Sequence, residues 1–111
     1  MDITLTQGDD LRVLVEVRDQ SGQLVDISGA QSIKYAVAQG FGQAVLIFKE
    51  LQDGIVVTNA NTFYFDITAQ DSGSLDVGSY VQEVEILTSG GLTYTVLSGR
   101  IRITPQLIKE V

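Results

Sequence analysis

Apolar and polar residues alternate with a period of two along most of this chain. In the segment LRVLVEVR, Leu11, Val13, Val15 and Val17 alternate with polar or charged residues, and Leu14 is the one apolar exception. Successive side chains of a β-strand point to opposite faces, so this period is typical of strands that are buried on one side. Comparable segments recur along the sequence between polar or glycine-rich turns. The pattern therefore predicts an all-β fold.

The chain contains neither cysteine nor histidine. Its 111 residues fit one compact domain. The lack of cysteine excludes disulfides, thiolate nucleophiles and zinc sites built from cysteine. The lack of histidine excludes catalysis by Ser-His-Asp and Cys-His arrangements. The composition thus predicts a domain that is not an enzyme and that uses no cofactor.

The acidic balance of the chain bears on its partners. Fourteen acidic against seven basic residues give a net charge of -7, so phosphate backbones and anionic lipids would repel the chain. The longest apolar run, AVLIF at residues 44–48, is far shorter than the roughly 18 residues that a membrane span needs. The first residues lack the basic and apolar regions of a secretory signal. We therefore expect no nucleic-acid partner, no membrane partner and no export.

Polar segments divide the chain into about seven or eight strands. Turn residues at 39–43 and 52–54 predict hairpin-type connections on either side of the strand at 44–51. The segment at 70–74 is too polar and too short for more than one helical turn. We predict a sandwich domain over residues 1–105, followed by a C-terminal tail at 106–111.

The last predicted hairpin closes at the turn TSGG, residues 88–91. Its apolar pattern places Ile86 opposite Tyr94 and Val84 opposite Val96 on the buried face. The later apolar positions are odd-numbered, which requires one extra residue in the last strand. A β-bulge costs least next to a glycine, so we predict it at Ser98–Gly99.

The segment DVGSY at residues 76–80 sharpens the fold prediction. In immunoglobulin-like sandwiches, a tyrosine near the start of strand F bonds back to the backbone of the preceding corner. Tyr80 matches this tyrosine, although it would also fit as an ordinary core aromatic. Gln82 replaces the cysteine of antibody-type domains, and the third strand lacks their tryptophan. The sequence therefore predicts an immunoglobulin-like antiparallel β-sandwich that is not of the antibody type.

The chain as a whole resembles the small immunoglobulin-like structural proteins of tailed bacteriophage particles and prophages. The segments that carry the resemblance are TQGDD at 6–10, VRDQSG at 17–22, VDISGA at 25–30, DGI at 53–55, GSY at 78–80 and GRIRITP at 99–105. Their order and spacing cover nearly the whole chain. The resemblance implies a virion structural protein, assembled in the bacterial host cytoplasm, that serves as a capsid decoration, neck, tail or baseplate component.

A structural protein acts by burying surface against its neighbours, and three features predict such surfaces. Phe41, at a glycine-flanked tip, either inserts into a neighbour or folds back on its own sandwich. The tail either docks on another subunit through its aliphatic residues or is disordered. A predicted outward face is more apolar than a solvent-exposed sheet face needs to be. The candidate interface residues are Phe41, Leu14, Val81, Leu87, Leu97, Leu107 and Ile108.

Acidic pairs are the remaining candidates for a catalytic or metal-binding site. Glu83 and Glu85 share one face of a strand at a spacing of roughly 7 Å, as a pair of glycosidase carboxylates would. A solvated strand face with Arg100 in diagonal reach of Glu83 is the stronger interpretation. The acids at 9–10 and at 71 and 76 lack the spacing of a calcium loop, and the latter two are better explained as turn caps. We therefore assign no catalytic and no metal-binding residue.

The sequence thus predicts a virion structural protein that binds neighbouring capsid or tail subunits and its own copies, with capsid decoration slightly favoured. A neck, tail or baseplate component is the first alternative. A module that binds a glycan or protein on the host surface is the second, because immunoglobulin-like domains also serve in that role.

Overall fold

The computed structural model describes residues 1–108, and these form eight β-strands and one short helix. The strands are β1 (Ile3–Thr6), β2 (Leu11–Glu16), β3 (Ser32–Ala38), β4 (Val45–Leu51), β5 (Gly54–Asn59), β6 (Thr62–Ile67), β7 (Gly78–Leu87) and β8 (Thr93–Thr104), with helix α1 (Ala69–Ser74) between β6 and β7. Every predicted strand is present, so the all-β prediction is confirmed. Among the described residues, no helix has the length and apolar character needed to cross a membrane.

The strands form two facing layers. Their order is β1-β8-β7-β3-β4-β5-β6-β2. β4 and β5 pair only through Glu50 and Leu51, so the sheet folds over at this junction. Tyr35 of β3 stacks on Phe65 of β6 with ring centroids 4.0 Å apart, which shows that the two layers face each other. The first layer is therefore β1-β8-β7-β3-β4 and the second is β5-β6-β2.

This strand order is that of an immunoglobulin-like sandwich, in which the third, seventh and eighth strands share one layer and the second, fifth and sixth share the other. The fold is immunoglobulin-like. Among the described residues, five strand pairings are antiparallel. β1 pairs with β8 in parallel, as β4 does with β5, so the predicted hairpin at 52–54 is wrong. The tight turn there carries the chain from one layer to the other.

The core follows from the alternation along the strands. In β6, for example, Phe63, Phe65 and Ile67 are buried, while the residues between them are partly exposed. Both layers contribute to one continuous cluster of buried side chains. Its largest fully buried apolar members are Tyr35, Phe63, Phe65, Ile27, Ile33, Ile55, Ile67, Ile86, Ile101 and Ile103.

The predicted tyrosine corner is present. The hydroxyl of Tyr80 donates a hydrogen bond of 2.6 Å to the backbone carbonyl of Asp76. Burial raises the pKa of Tyr80, and the nearby charge of Asp76 adds to this effect. Just before this corner, Thr68 and Asp71 form a capping box that begins α1, so the predicted capping role of Asp71 is confirmed. The carbonyl of Asp76 rather than its carboxylate fixes the corner.

The register shift in the last hairpin lies closer to the turn than predicted. The pairing nearest the turn is as predicted, but Val84 lies opposite Leu97 rather than Val96. The bulge therefore precedes Leu97, and the prediction at Ser98–Gly99 is wrong. Leu97 joins Ile101 on the inward side of β8, which adds a large apolar side chain to the core.

Candidate binding surfaces

The outer face of β4, β3 and β7 carries a groove whose floor is a stripe of small residues. Ala36 and Ala38 lie on the middle strand, β3. Ala38 lies between Val45 of β4 and Val81 of β7, and Ala36 lies between Phe48 and a glutamate. Because the flanking side chains are larger than alanine, they form walls on both sides. The groove has a volume of about 290 Å³.

The two ends of the groove differ in chemistry. Phe41, in the loop between β3 and β4, borders the end near Ala38 and is 69% exposed. Lys34 borders the other end, where its register neighbours are Glu50 and Glu85. The groove is therefore apolar at the Phe41 end and charged at the Lys34 end.

One wall of the groove is acidic. Glu83 and Glu85 lie on β7 along this wall. The predicted diagonal contact of Arg100 with Glu83 is not an ion pair, since the three ion pairs among residues 1–108 involve other residues. Neither glutamate forms an ion pair in the part of the chain that the structure describes, although Lys34 is the register neighbour of Glu85. A basic group of a ligand would be attracted to this wall.

The opposite wall, β4, presents apolar side chains at an edge that is mostly unpaired. β4 pairs with β3 along its length, but within the described residues it meets β5 only at its last two positions. Val45 and Phe48 line this wall and are each about half exposed, as is Leu46, which lies outside the groove. An edge of this kind offers both backbone groups and apolar surface to another chain.

The sequence prediction missed this wall, although the signal was present. The run AVLIF at 44–48 interrupts the period-two pattern, so apolar side chains must occur on both faces of the strand. A strand that is buried on one face only does not need them. Phe48 and Val45 are the interface candidates that this signal could have identified.

An ion pair holds β4 against α1. The ammonium of Lys49 lies 2.7 Å from a carboxylate oxygen of Asp71, and both side chains are largely covered. Burial alone would raise the pKa of Asp71, but hydrogen bonds from Lys49 and Thr68 outweigh burial and hold this pKa below its ordinary value. The pair thus positions the strand that forms one wall of the groove.

We expect Asp71→Asn to lower the free energy of unfolding by about 1 to 2 kcal/mol at pH 7. Because the pKa of Asp71 is lowered by folding, its stabilising effect is complete above the unfolded pKa of about 4 and is lost as the pH falls through the folded pKa. The difference between wild type and variant should therefore shrink below about pH 4. Urea unfolding at several pH values measures it.

The matched control for this prediction is Asp53→Asn, which removes an exposed carboxylate from the turn between β4 and β5. It should leave stability within about 0.5 kcal/mol of wild type at every pH. A constant difference for Asp71→Asn between pH 7 and pH 2 would contradict the role of the ion pair.

The structure does not bring the predicted apolar face together. Val81 lines the groove, whereas Leu87, half-buried on the same strand, lies about 20 Å further along. Leu14 is 65% exposed but belongs to β2, in the other layer. Leu97 is only 5% exposed, so its assignment to an outward face is wrong. The bulge before Leu97 turns this side chain into the core.

A second apolar surface surrounds Leu14 on the outer face of the β5-β6-β2 layer. Leu14 lies opposite Tyr64, and Tyr64 lies opposite the exposed Val56. Arg12 stacks over the ring of Tyr64 at 4.1 Å and forms an ion pair with Asp66 at 2.8 Å. Hydrogen bonds from Arg12 hold the pKa of Asp66 below its ordinary value. This surface is covered in part by its own ion pair.

Beyond β8, the first residues of the tail leave the sandwich. Leu107 and Ile108 are 96% and 79% exposed. The rest of the predicted tail, residues 109–111, lies outside the described residues. Leu107 and Ile108 therefore present aliphatic surface that their own sandwich does not cover.

The acidic residues considered for catalysis or metal binding lie either in a structural hydrogen bond or on an open strand face. Asp10 accepts a hydrogen bond from the backbone of Ala69 at the start of α1. Glu83 and Glu85 lie on an open strand face rather than in a closed cleft. Among residues 1–108, no group of three or more acidic side chains is placed to hold a metal ion.

Comparisons with known proteins add little to this geometry. Neither the protein-family models nor the curated proteins include a match. Among solved structures, murine CRIg is similar over 95% of this chain and 92% of its own, with 12% sequence identity and a TM-score of 0.42. A likeness this distant carries no functional argument, so function must be argued from the surfaces themselves.

Proposed function

We propose that this protein is a non-enzymatic structural component of a tailed-phage particle, and that it acts by binding neighbouring protein subunits. The observation that carries the proposal is the groove on the outer face of β4, β3 and β7. Its apolar wall on β4 and the exposed Phe41 tip add nothing to the core of a sandwich that is already closed. Exposed apolar surface concentrated at one site is typical of protein docking sites.

The virion setting rests on the sequence segments that resemble phage structural proteins. Capsid decoration remains slightly favoured, because a decoration protein needs only a stable module and a docking surface. In this role the protein would bury the groove against a neighbouring subunit of the shell and add binding energy to the shell. Neck, tail and baseplate positions would use the same mechanism on other subunits.

The proposal is tested in the phage or prophage whose genome encodes the chain. Purified particles should contain the protein, and particles that lack it should lose infectivity at least about tenfold faster under heat or osmotic shock, because the protein stabilises only the assembled state. Complementation with Phe48→Asp should fail, since a buried carboxylate opposes docking. Leu14→Asp, at an exposed apolar position in the other layer, is the matched control and should restore the particles.

Two outcomes would refute this proposal. One is the absence of the protein from purified particles. The other is a set of particles without it that are complete and equally resistant to heat and osmotic shock. If Leu14→Asp fails and Phe48→Asp succeeds, the docking surface is the outer face of the second layer instead.

A host-surface binding module is the second candidate, and one observation favours it. Phe41 and Phe48 expose their rings beside Glu83, and an aromatic ring next to a carboxylate can hold the apolar face and the hydroxyls of a sugar. Binding on a glycan array that disappears with Phe41→Ala would support this function. Particle assembly would then be unaffected by the same substitution.

A further inference from the structure

We propose that the groove binds the C-terminal tail of a second copy of this chain. This inference rests on the proposed function, because it names the partner of the same docking surface. The groove and the tail both expose apolar side chains that could pack against each other. The groove exposes apolar side chains at its Phe41 end, and Leu107 and Ile108 are exposed beyond β8.

The order of chemical groups also matches. Along β3, the groove changes from an apolar section at Ala38 to an acidic wall at Glu83 and then to Lys34. The tail has the sequence Leu107-Ile108-Lys109-Glu110, which is aliphatic, then basic, then acidic. Laid along the groove from the Phe41 end, the tail would place its lysine beside the acidic wall and its glutamate near Lys34. The charge match is clearest for the lysine, because Lys34 itself lies between Glu50 and Glu85.

The extent of the groove suits a segment of this length. From Lys34 to Ala38 the floor is about 13 Å long, which matches about four extended residues. An extended segment lying over this floor would have Ala36 and Ala38 beneath it, Phe48 of β4 on one side and Glu83 of β7 on the other.

The tail of the same chain is poorly placed to reach this groove. Gln106 lies against Gly8, in the turn that follows β1, where an added Cβ would be 3.1 Å from Oε1 of Gln106. In the sheet order, β1 is three strands away from β3, or about 14 Å. Leu107 and Ile108 together span only about 7 Å. While Gln106 stays at this position, Leu107 and Ile108 do not reach the groove of their own chain, so in this register their groove belongs to another molecule.

Contacts of this type are head-to-tail, because the groove and the tail are different surfaces. Such contacts close into rings or extend into filaments, depending on the rotation between successive copies. A head-to-tail link between copies is compatible with a protein that surrounds or covers a particle.

The first experiment compares the full chain with a variant that lacks residues 106–111. This deletion removes no strand, and a circular dichroism spectrum confirms that the variant folds. Light scattering over about 10 μM to 1 mM should show a mass that rises with concentration for the full chain only. A full chain that stays monomeric at 1 mM would contradict the proposal, as would a deletion variant that associates equally.

The second experiment locates the contact. A synthetic peptide of residues 105–111 is titrated into the isotope-labelled deletion variant, and a scrambled peptide is the control. Amide signals of Ala36, Ala38, Phe48 and Val81 should shift with the native sequence only. Shifts around Leu14 instead, or no shifts at all, would overturn the groove assignment. A monomeric full chain whose groove signals change on deletion would show that its own tail occupies the groove, which also overturns the proposal.

Charge reversal tests the polar part of the contact. Glu83→Lys and Lys109→Glu should each weaken association about tenfold, and the double variant should restore it, because the exchanged charges again attract. Asp53→Lys, outside the groove, is the control and should have little effect. Equal weakening by the double variant would contradict the predicted pairing.

The outcomes separate this inference from the proposed function. If Phe48→Asp is lost from particles while the chain without residues 106–111 is retained, the groove binds another subunit and only the tail assignment is wrong. If neither variant affects incorporation, the proposed docking site is wrong as well.

Discussion

Replacing Gly99 with alanine is expected to displace the N-terminal strand and to lower the free energy of unfolding by about 3 to 5 kcal/mol. A Cβ added at Gly99 would overlap the carbonyl oxygen of Met1 and lie 2.8 Å from its carbonyl carbon. It would also lie 2.9 Å from Oδ1 of Asp2. Because the atoms of Met1 belong to the backbone, no rotation of a side chain relieves the overlap, and the chain before β1 must move.

That movement would break a set of hydrogen bonds between the N-terminus and the first layer. The ammonium group of Met1 donates to the carbonyl of Ser98 at 2.9 Å. The carboxylate of Asp2 accepts from the backbone of Arg100 at 2.9 Å. The buried amide of Gln82 donates to the carbonyl of Met1 at 3.0 Å. Loss of the last bond would leave this amide nitrogen only its longer bond of 3.4 Å to the carbonyl of Arg100, which adds to the cost.

The displaced strand also contributes to the core. Ile3 and Leu5 of β1 are buried, and exposing either side chain costs about 1.5 to 3 kcal/mol. Partial movement of β1 exposes them only in part, which is why the expected loss stays below the full sum of these terms.

Urea unfolding of Gly99→Ala measures the loss, and Gly90→Ala is the matched control. At Gly90 the nearest atom to an added Cβ is Oγ1 of Thr88, at 3.9 Å, so this variant should stay within about 0.5 kcal/mol of wild type. Amide exchange in β1 and in the facing part of β8 should accelerate for Gly99→Ala only. Equal urea midpoints for Gly99→Ala and wild type would show that the contact at Met1 does not support the fold.

The N-terminal contact could not be predicted from the sequence, although the strands on both sides of it could. Alternation is a local property, so the strand at Ile3–Thr6 and the last strand followed directly from it. Their parallel pairing brings together residues almost a full chain length apart, and no local pattern records such a pairing. Gly99 therefore suggested a bulge, whereas its small size is needed for the close approach of Met1.

The tyrosine corner was predictable for the opposite reason. Tyr80 and its acceptor, the carbonyl of Asp76, are four residues apart, so one short segment contains both partners of the hydrogen bond. The fold class could likewise be predicted from the strand pattern together with this corner.

The groove required information that the sequence holds only across three strands. Ala36 on its own is an unremarkable strand residue. It becomes the floor of a groove because the register places Phe48 on one side of it and Glu83 on the other. Leu14 and Val81 also show that the sequence does not reveal which outward-facing residues share a surface. Both point outward, but they belong to different layers.

Replacing Phe65 with alanine is expected to destabilise the sandwich by about 3 to 5 kcal/mol. The side chain of Phe65 is fully buried where the two layers meet. Its ring stacks on Tyr35 at a centroid distance of 4.0 Å and lies 6.5 Å from the ring of Phe63. Alanine would leave a cavity that both layers border, and close-packed strands fill such a cavity only in part. For a domain with a stability of about 5 to 15 kcal/mol, this loss removes a large share of the total.

Phe41→Ala is the matched control, because it removes the same ring from an exposed position. At 69% exposure, the ring of Phe41 contributes little to the monomer, so its loss should change the free energy of unfolding by less than about 0.5 kcal/mol. Thermal unfolding should therefore show a decrease of about 15 °C or more in Tm for Phe65→Ala and almost no change for Phe41→Ala. A Phe41→Ala variant as unstable as Phe65→Ala would mean that the tip folds back on its own sandwich in solution. The ring would then be unavailable for a partner, and the docking function of the groove would lose its main aromatic contact.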